Sequence, residues 1–459
     1  MEQPLPNEFL AQAEARLGRG RLATDEVTLA TYGWDNTGLY FRPQGVFLAE
    51  NRQDVVALLS LCHEFGIPVT PRGAGSGNVG GCLPVQGGIV LSTQRMNRIL
   101  QVNPVDRWVK VEPGVVNGEL QNHLRPHGLF WPPDPSSART CTIGGNLAMC
   151  SAGPGAVRYG VTRDWVLGLT AVLADGRLLQ TGGLTSKNVV GLDLTRLLIG
   201  SEGMLAVVVE ATLRLAPLPA AKRLLRVLYG SVQNATYAVA ALLNQGLAPD
   251  AVEFLDGAAL DLLRKGKAIT LNEAARALLL VEVSGRVEEV DDLARRCQEI
   301  LERFDALEVL RAGDEAESAR IWQARSALSP TLKKLAPRRI NEDVVVPVSR
   351  LPELMDGLTE ISQRWQMPMV NFGHAGNGNI HVNLLTSQTV EQVLPILQEV
   401  FQLVRKLDGS LSGEHGIGIQ KRPFLSLEVD EVSLQLQRAI KDAFDPKGIL
   451  NPDKVFPAS

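Results

Sequence analysis

The alternation of apolar and polar positions changes character along the chain. DVVALLSLCHEFG has the spacing of an amphipathic helix stopped at Gly66, and IPVTPRGAGSG after it reads as a strand entering a glycine-rich loop. The first ~40 residues read as amphipathic helix, with Asn7 as the cap before FLAQAEARLG. From there to about Leu215 short apolar runs such as GIVLS, RWVKVEP, LTAVLADG and MLAVVVEATLRL predict strands separated by glycine loops. After PLPAAK the glycine loops give way to longer helical patterns alternating with strands such as ALLLVEVSG and INEDVVVPV, which marks a second domain from about residue 218. NFGHAGNGNIHVNLL and SGEHGIG restore the glycines, and AIKDAFDPKGILNPDKVF reads as a helix running into proline-punctuated extended chain.

A length of 459 residues favours two or three domains. The charge of -4, from 46 basic and 50 acidic residues without long runs, argues against a nucleic-acid groove or a polybasic membrane patch, and for small-molecule chemistry. MEQPLPNEFL lacks the basic and apolar regions of a signal peptide, and nothing later approaches the ~18 apolar residues of a spanning helix. The expectation is a cytoplasmic protein. Its five cysteines form no C-x-x-C pair, so they read as buried small side chains rather than ligands of zinc or an iron-sulfur cluster.

PRGAGSGNVGG holds a literal G-x-G-x-x-G at Gly75, Gly77 and Gly80, but GCLPVQGGIVLS follows it, with a proline and two more glycines where the dinucleotide motif needs a helix. What survives is a loop whose backbone N–H groups can converge on a phosphate. Alone it reads more readily as a surface turn. PPDPSSARTCTIGGNLAMCSAG and GSEGMLAVVVEATLRL add two further glycine elements, and the three together point to one large ligand.

PRGAGSGNVGG, PPDPSS, TIGGN, RYGVTRDWVLGL and LLIGSEG, in this order, resemble the FAD-binding domain of the vanillyl-alcohol oxidase and p-cresol methylhydroxylase superfamily. AVEFLD, INEDVVVP, GHAGNGNIH, SGEHGIG and LNPDK extend the resemblance to the FAD-linked D-2-hydroxy-acid dehydrogenases, which include D-lactate dehydrogenases and glycolate oxidase catalytic subunits. The resemblance implies an α+β protein. Residues 1–217 would form a two-part FAD-binding domain with its core at about 38–217, residues 218–400 an α+β substrate (cap) domain, and 401–459 a helical C-terminal segment returning to the flavin site. It also implies that the backbone of Gly73, Ala74, Gly75, Ser76, Gly77 and Asn78 holds the pyrophosphate. Thr142, Gly145 and Asn146 would lie along the flavin, with Arg72, Pro133, Asp134, Ser137, Gly203 and Val207 as further contacts. Relatives that attach FAD covalently use a histidine in the first glycine loop. This chain has none, so non-covalent FAD is expected even though Cys141 lies near where a second link forms in some members. It also reads Cys150-Ser151-Ala152-Gly153 where many relatives read N-A-G-G.

Half of the six histidines fall in HAGNGNIH and SGEHGIG. MVNFGH and IHVNLL read as adjacent strands, which would stand His374 and His381 close enough to share an ion, and Glu414 is the natural third ligand for zinc, manganese or iron. His415, next to it, should point the other way in extended chain. Spacing alone leaves an equal alternative, in which the histidines cap the turn and Glu414 pairs with a surface lysine. The resemblance implies that His374, His381 and Glu414 hold a divalent metal, that His415 is the general base, that Arg325 in IWQARSALS clamps the substrate carboxylate, and that Asn383 contacts substrate.

The implied reaction oxidises a small D-2-hydroxy acid to the 2-oxo acid, with hydride passing to the flavin. Relatives that act on D-2-hydroxyglutarate carry a lysine near the strand before the proline of INEDVVVP; Asn341 stands there, which favours D-lactate or glycolate. Electrons would then leave through oxygen, a quinone, an electron-transfer protein or companion iron-sulfur subunits. The expected assembly is a homodimer or hetero-complex, cytoplasmic or held at the membrane by partner subunits. Three other readings stand beside this one: a flavin-bearing subunit of a glycolate oxidase complex with weak activity alone, a D-2-hydroxyglutarate dehydrogenase, and a flavin-free metal-dependent hydrolase suggested by the His, His, Glu set.

Overall fold

The computed structural model describes residues 4–266, 270–332 and 334–457. It divides into two units: residues 1–152, 161–218 and 414–459 form the first, and 153–160 with 219–413 the second. The last segment of the chain thus belongs with the first.

In the first unit the strands Gly45–Leu48, Ile89–Ser92 and Val69–Arg72 pair in parallel, with Leu22–Ala23 antiparallel at the edge. Helix Arg52–Phe65 makes the crossover; Asn51 caps it through Asp54 N–H, and Gly66 ends it in the left-handed region at φ 67°. Val55, Leu58, Leu59 and Cys62 bury its apolar stripe against Phe47, Val69 and Leu91. Ile449 and Leu450 from the C-terminal tail enter the same core. A second sheet, antiparallel, runs in the order Ile99–Asn103, Trp108–Val111, Val207–Arg214, Val166–Val172, Leu178–Gly182.

The N-terminal expectation needs correcting. The helix Asn7–Leu17 has Pro6, not Asn7, at its cap, because the Pro6 carbonyl accepts the first helical N–H, from Leu10. Beyond it the chain breaks into a short strand and the helix Glu26–Tyr32 rather than one long helix. No helix follows the G-x-G-x-x-G, and the next element is the strand Ile89–Ser92.

The second unit is one seven-stranded antiparallel sheet in the order Ala306–Arg311, Ala221–Tyr229, Ala277–Gly285, Ala251–Asp256, Met369–Gly373, Asn379–Thr386, Arg338–Val345. Helices Gly257–Lys265 and Glu315–Leu332 pack Leu260, Leu263, Ile321 and Leu328 onto one face, against Leu255, Leu278, Leu280 and Phe372. Among the described residues no disulfide forms, and no helix is long and apolar enough to cross a membrane.

Lys454, in LNPDK, is 2% exposed and donates to the Leu83 carbonyl at 2.8 Å. Burial lowers its ammonium to about 8, against the pull of Cys82, Asp453 and Glu202. The folded value lies below the free value of 10.5, so between them the unfolded chain binds more protons and this lysine's contribution to stability rises with pH. The melting temperature of wild type minus that of Lys454→Met should therefore increase from pH 8 to 10. A flat difference in calorimetry would refute the assignment.

Candidate active site

In the first unit the loop after strand Val69–Arg72 borders a cavity of about 440 Å³, lined by Trp34, Asp35, Asn36, Arg72, Gly75, Ser76, Ser137 and Thr140 among others. Hydroxyls, a guanidinium and open glycine backbone suit a phosphate-bearing ligand. Close approach explains two of the glycines. A Cβ on Gly73 would sit 2.4 Å from Thr142 Oγ1, and Gly75 has φ 69° with a Cβ position 2.2 Å from the Arg72 guanidinium. A Cβ on Gly77 would meet nothing within 4 Å, so its backbone faces open space.

Thr142 caps the helix Ile143–Met149 and accepts from Gly145 N–H. Asn146 is buried and exchanges hydrogen bonds with Asn117 and Cys141, while Asn117 also donates to the Pro133 carbonyl. Asp134 is exposed. Gly203 has φ 72° against Pro71, and the Val207 side chain lies in the hydrophobic core, which leaves only its backbone for a ligand.

SGEHGIG is tied to this loop. The N–H groups of Ile417 and Gly418 donate to the Glu202 carboxylate at 2.7 and 2.8 Å, and Ile419 N–H donates to the Val79 carbonyl at 2.9 Å. Burial pushes the Glu202 carboxyl above its usual range, and these two N–H donors oppose the shift. The segment brings His415 Nε2 to 3.0 Å from Asn78 Nδ2, and Asn78 Oδ1 in turn accepts from Asn36. Sequence reasoning missed Glu202 and this asparagine chain, because a lone acid in GSEG carries no signal of what it will bind.

In the second unit, strand alternation decides the site. Phe372 faces His381 across the Met369–Gly373 and Asn379–Thr386 pair, Val370 faces Asn383, and Asp343 and Asn341 continue the same rows on Arg338–Val345. Glu253 and Leu255 fall on this face too, so polar groups gather at one corner of an otherwise apolar surface. His374 follows the first of these strands, and its carbonyl accepts from Asn377 and Asn379 N–H to close the turn. Gly378 is required there: its φ is 73°, and a Cβ would lie 1.8 Å from the Val346 carbonyl. The His374 and His381 rings are 3% and 7% exposed, with centroids 5.2 Å apart and nearly perpendicular.

Glu253 is fully buried. Its Oε2 accepts from Arg325 Nε at 2.7 Å, and its Oε1 is hydrogen-bonded to His374 Nδ1. Burial would raise this carboxyl, but His374 and Arg325 outweigh it and hold it below the usual range. Arg325 also lies 4.6 Å over the Phe372 ring and is 8% exposed, far from an ordinary helix-surface arginine. Asn383 is completely buried: its Oδ1 accepts from Arg339 Nε at 2.8 Å, and its Nδ2 donates to the carbonyls of Val370 and His381. Arg339 lies two positions before Asn341 on the same strand. It reaches Ser329 Oγ at 2.8 Å, and burial lowers its guanidinium to about 10.

The segment leading to Glu414 is fixed to the same sheet. Ser410 bridges Val345, and Gly413 N–H and Ser412 Oγ donate to the Asp343 carboxylate at 2.8 and 3.1 Å. The chain passes into the first unit at the next peptide bond, with Glu414 half-buried.

Comparison with known proteins agrees with both halves. The family described as FAD linked oxidases, C-terminal domain, matches residues 218–455, and the FAD binding domain matches 43–182. The chain is 36% identical over 430 residues to the glycolate oxidase subunit GlcD of Bacillus subtilis, covering 93% of this chain and 92% of that one. It is 33% identical over 426 residues to a D-lactate dehydrogenase of Anaerostipes hadrus, covering 90% of each. The crystal structure of p-cresol methylhydroxylase with substrate bound shares the fold, with a TM-score of 0.82 at 17% identity over 98% of this chain and 97% of that one. A flavin-free hydrolase is thereby excluded. The glycine-loop cavity, the α+β architecture and matches that span nearly the whole sequence lead to one conclusion: the chain is a flavoprotein oxidoreductase of the FAD-linked oxidase family.

Proposed function

We propose that the protein oxidises a small D-2-hydroxy acid, D-lactate or glycolate, to the 2-oxo acid, using non-covalent FAD and a divalent metal. The observation that carries this reading is the gathering of two imidazoles and a carboxylate-paired arginine at one corner of an apolar sheet face. The relatives named glycolate oxidase subunit and D-lactate dehydrogenase support the substrate class.

His374, His381 and Glu414 would hold the metal, a donor set suited to zinc, manganese or iron. Bound metal supplies a Lewis acid, and bound FAD a two-electron acceptor. The chain's own residues do the rest. Arg325 pairs with the substrate carboxylate through the guanidinium nitrogens that Glu253 leaves open. Asn383 holds Arg339 toward the same corner. His415 takes the hydroxyl proton while the Cα hydrogen departs as hydride, so the acid loses two electrons and two hydrogens and a carbonyl forms. The Asn78 contact keeps the imidazole at the glycine loop. Electrons then leave for an external acceptor, and the naming of one relative as a glycolate oxidase subunit supports a hetero-complex.

Anaerobic bleaching of the flavin band tests the substrate. D-lactate or glycolate should bleach it, L-lactate should not, and a flavin that responds to none of the 2-hydroxy acids tried would sink the reading. His415→Ala should keep its FAD and lose roughly 10²–10⁴-fold in the rate of flavin reduction; reduction at the wild-type rate would remove His415 from the role of base. Chelation should abolish reduction without releasing FAD, and zinc or manganese should restore it; activity that survives verified metal removal would overturn the metal assignment.

A further inference from the structure

Glu253 stands in the middle of the apolar strand AVEFLD, with 0% of its surface exposed. A carboxylate this dry persists only when it is paired and hydrogen-bonded. Its two oxygens serve two different elements: Oε2 takes Arg325 Nε, from the helix Glu315–Leu332, and Oε1 takes His374 Nδ1, from the turn after Met369–Gly373.

We propose that Glu253 is the positioning residue of the site, one carboxylate orienting both the metal-ligating His374 and the substrate-binding Arg325. This rests on the roles given to those two residues above. A neutral imidazole has two nitrogens, one a donor and one an acceptor, and can flip between orientations. With Nδ1–H held by Glu253, Nε2 is fixed as the acceptor nitrogen, the form a metal needs. Arg325 is held by Nε alone and stacked on Phe372, so its terminal nitrogens remain for a second anion. Both tasks need an acceptor-only group with two oxygens. A glutamine of the same size must present an amine to one of the two donors, leaving either the imidazole or the guanidinium misdirected.

The test uses flavin-loaded wild type, Glu253→Gln, and the double variant Glu253→Gln/Arg325→Met. The double variant avoids leaving an unpaired guanidinium buried if the single one fails to fold. After chelation, binding of manganese and zinc is measured by equilibrium dialysis, and the KM and limiting rate of flavin reduction by D-lactate are measured for the single variant. Glu253→Gln should lose metal affinity about 10–100-fold with FAD content unchanged, and its KM should rise. The double variant should show the same loss of metal affinity. Variants that carry full flavin and bind metal as wild type does overturn the positioning role. A wild type that takes up no metal overturns the ligand role of His374 instead, and the proposal with it.

Discussion

Glu202 is the anchor of the first unit. Its carboxylate is buried and takes two backbone N–H groups from Ile417 and Gly418, while its carbonyl takes Asn451 Nδ2 at 2.7 Å. Asn451 also donates to the Gly81 carbonyl, at the end of the first glycine loop. Charge-assisted hydrogen bonds in a dry site are strong, and breaking one strands a buried charge. Through this one residue, segments that are hundreds of positions apart in sequence become neighbours. Gly416 shows how tight the contact is, since a Cβ there would lie 2.7 Å from Glu202 Oε1 and 2.5 Å from Met149. His415 reaches Asn78 because the residues after it are held.

The second unit meets a different constraint. Its antiparallel sheet needs one face apolar to receive two helices, yet that face carries Glu253, Asn383 and Arg339. Each is tolerated because it is matched: Glu253 by Arg325 and His374, Asn383 by Arg339 and two carbonyls, Arg339 by Ser329 as well. Polar groups arranged this way are rigid.

Much of this was legible in the sequence because it depends on local rules. Strand runs such as GIVLS and IHVNLL, the stop at Gly66 and the absence of a helix after G-x-G-x-x-G all follow from periodicity and from glycine and proline chemistry within a few residues. The ordered motifs identified the FAD-linked oxidase family because each loop keeps its residues and its place in the chain. The hairpin that sets His374 near His381 was readable for the same reason: both strands and the turn are contiguous.

What the sequence left undecided were the partners of single residues far apart in the chain. AVEFLD shows an acid in an apolar strand, but 121 positions separate Glu253 from His374 and 72 separate it from Arg325, and no spacing rule spans such distances. Arg339 was overlooked because register sets it opposite Leu385, and it meets Asn383 only by reaching diagonally across the strand pair, a contact that tertiary pairing alone creates. Asn7 failed as a cap for a smaller reason, that the Pro6 carbonyl closes the first turn. The sequence by itself determined the elements, the family and the residue types available for chemistry. Tertiary structure decided which of them meet, because burial makes each charged group find its partner wherever the fold brings one within reach.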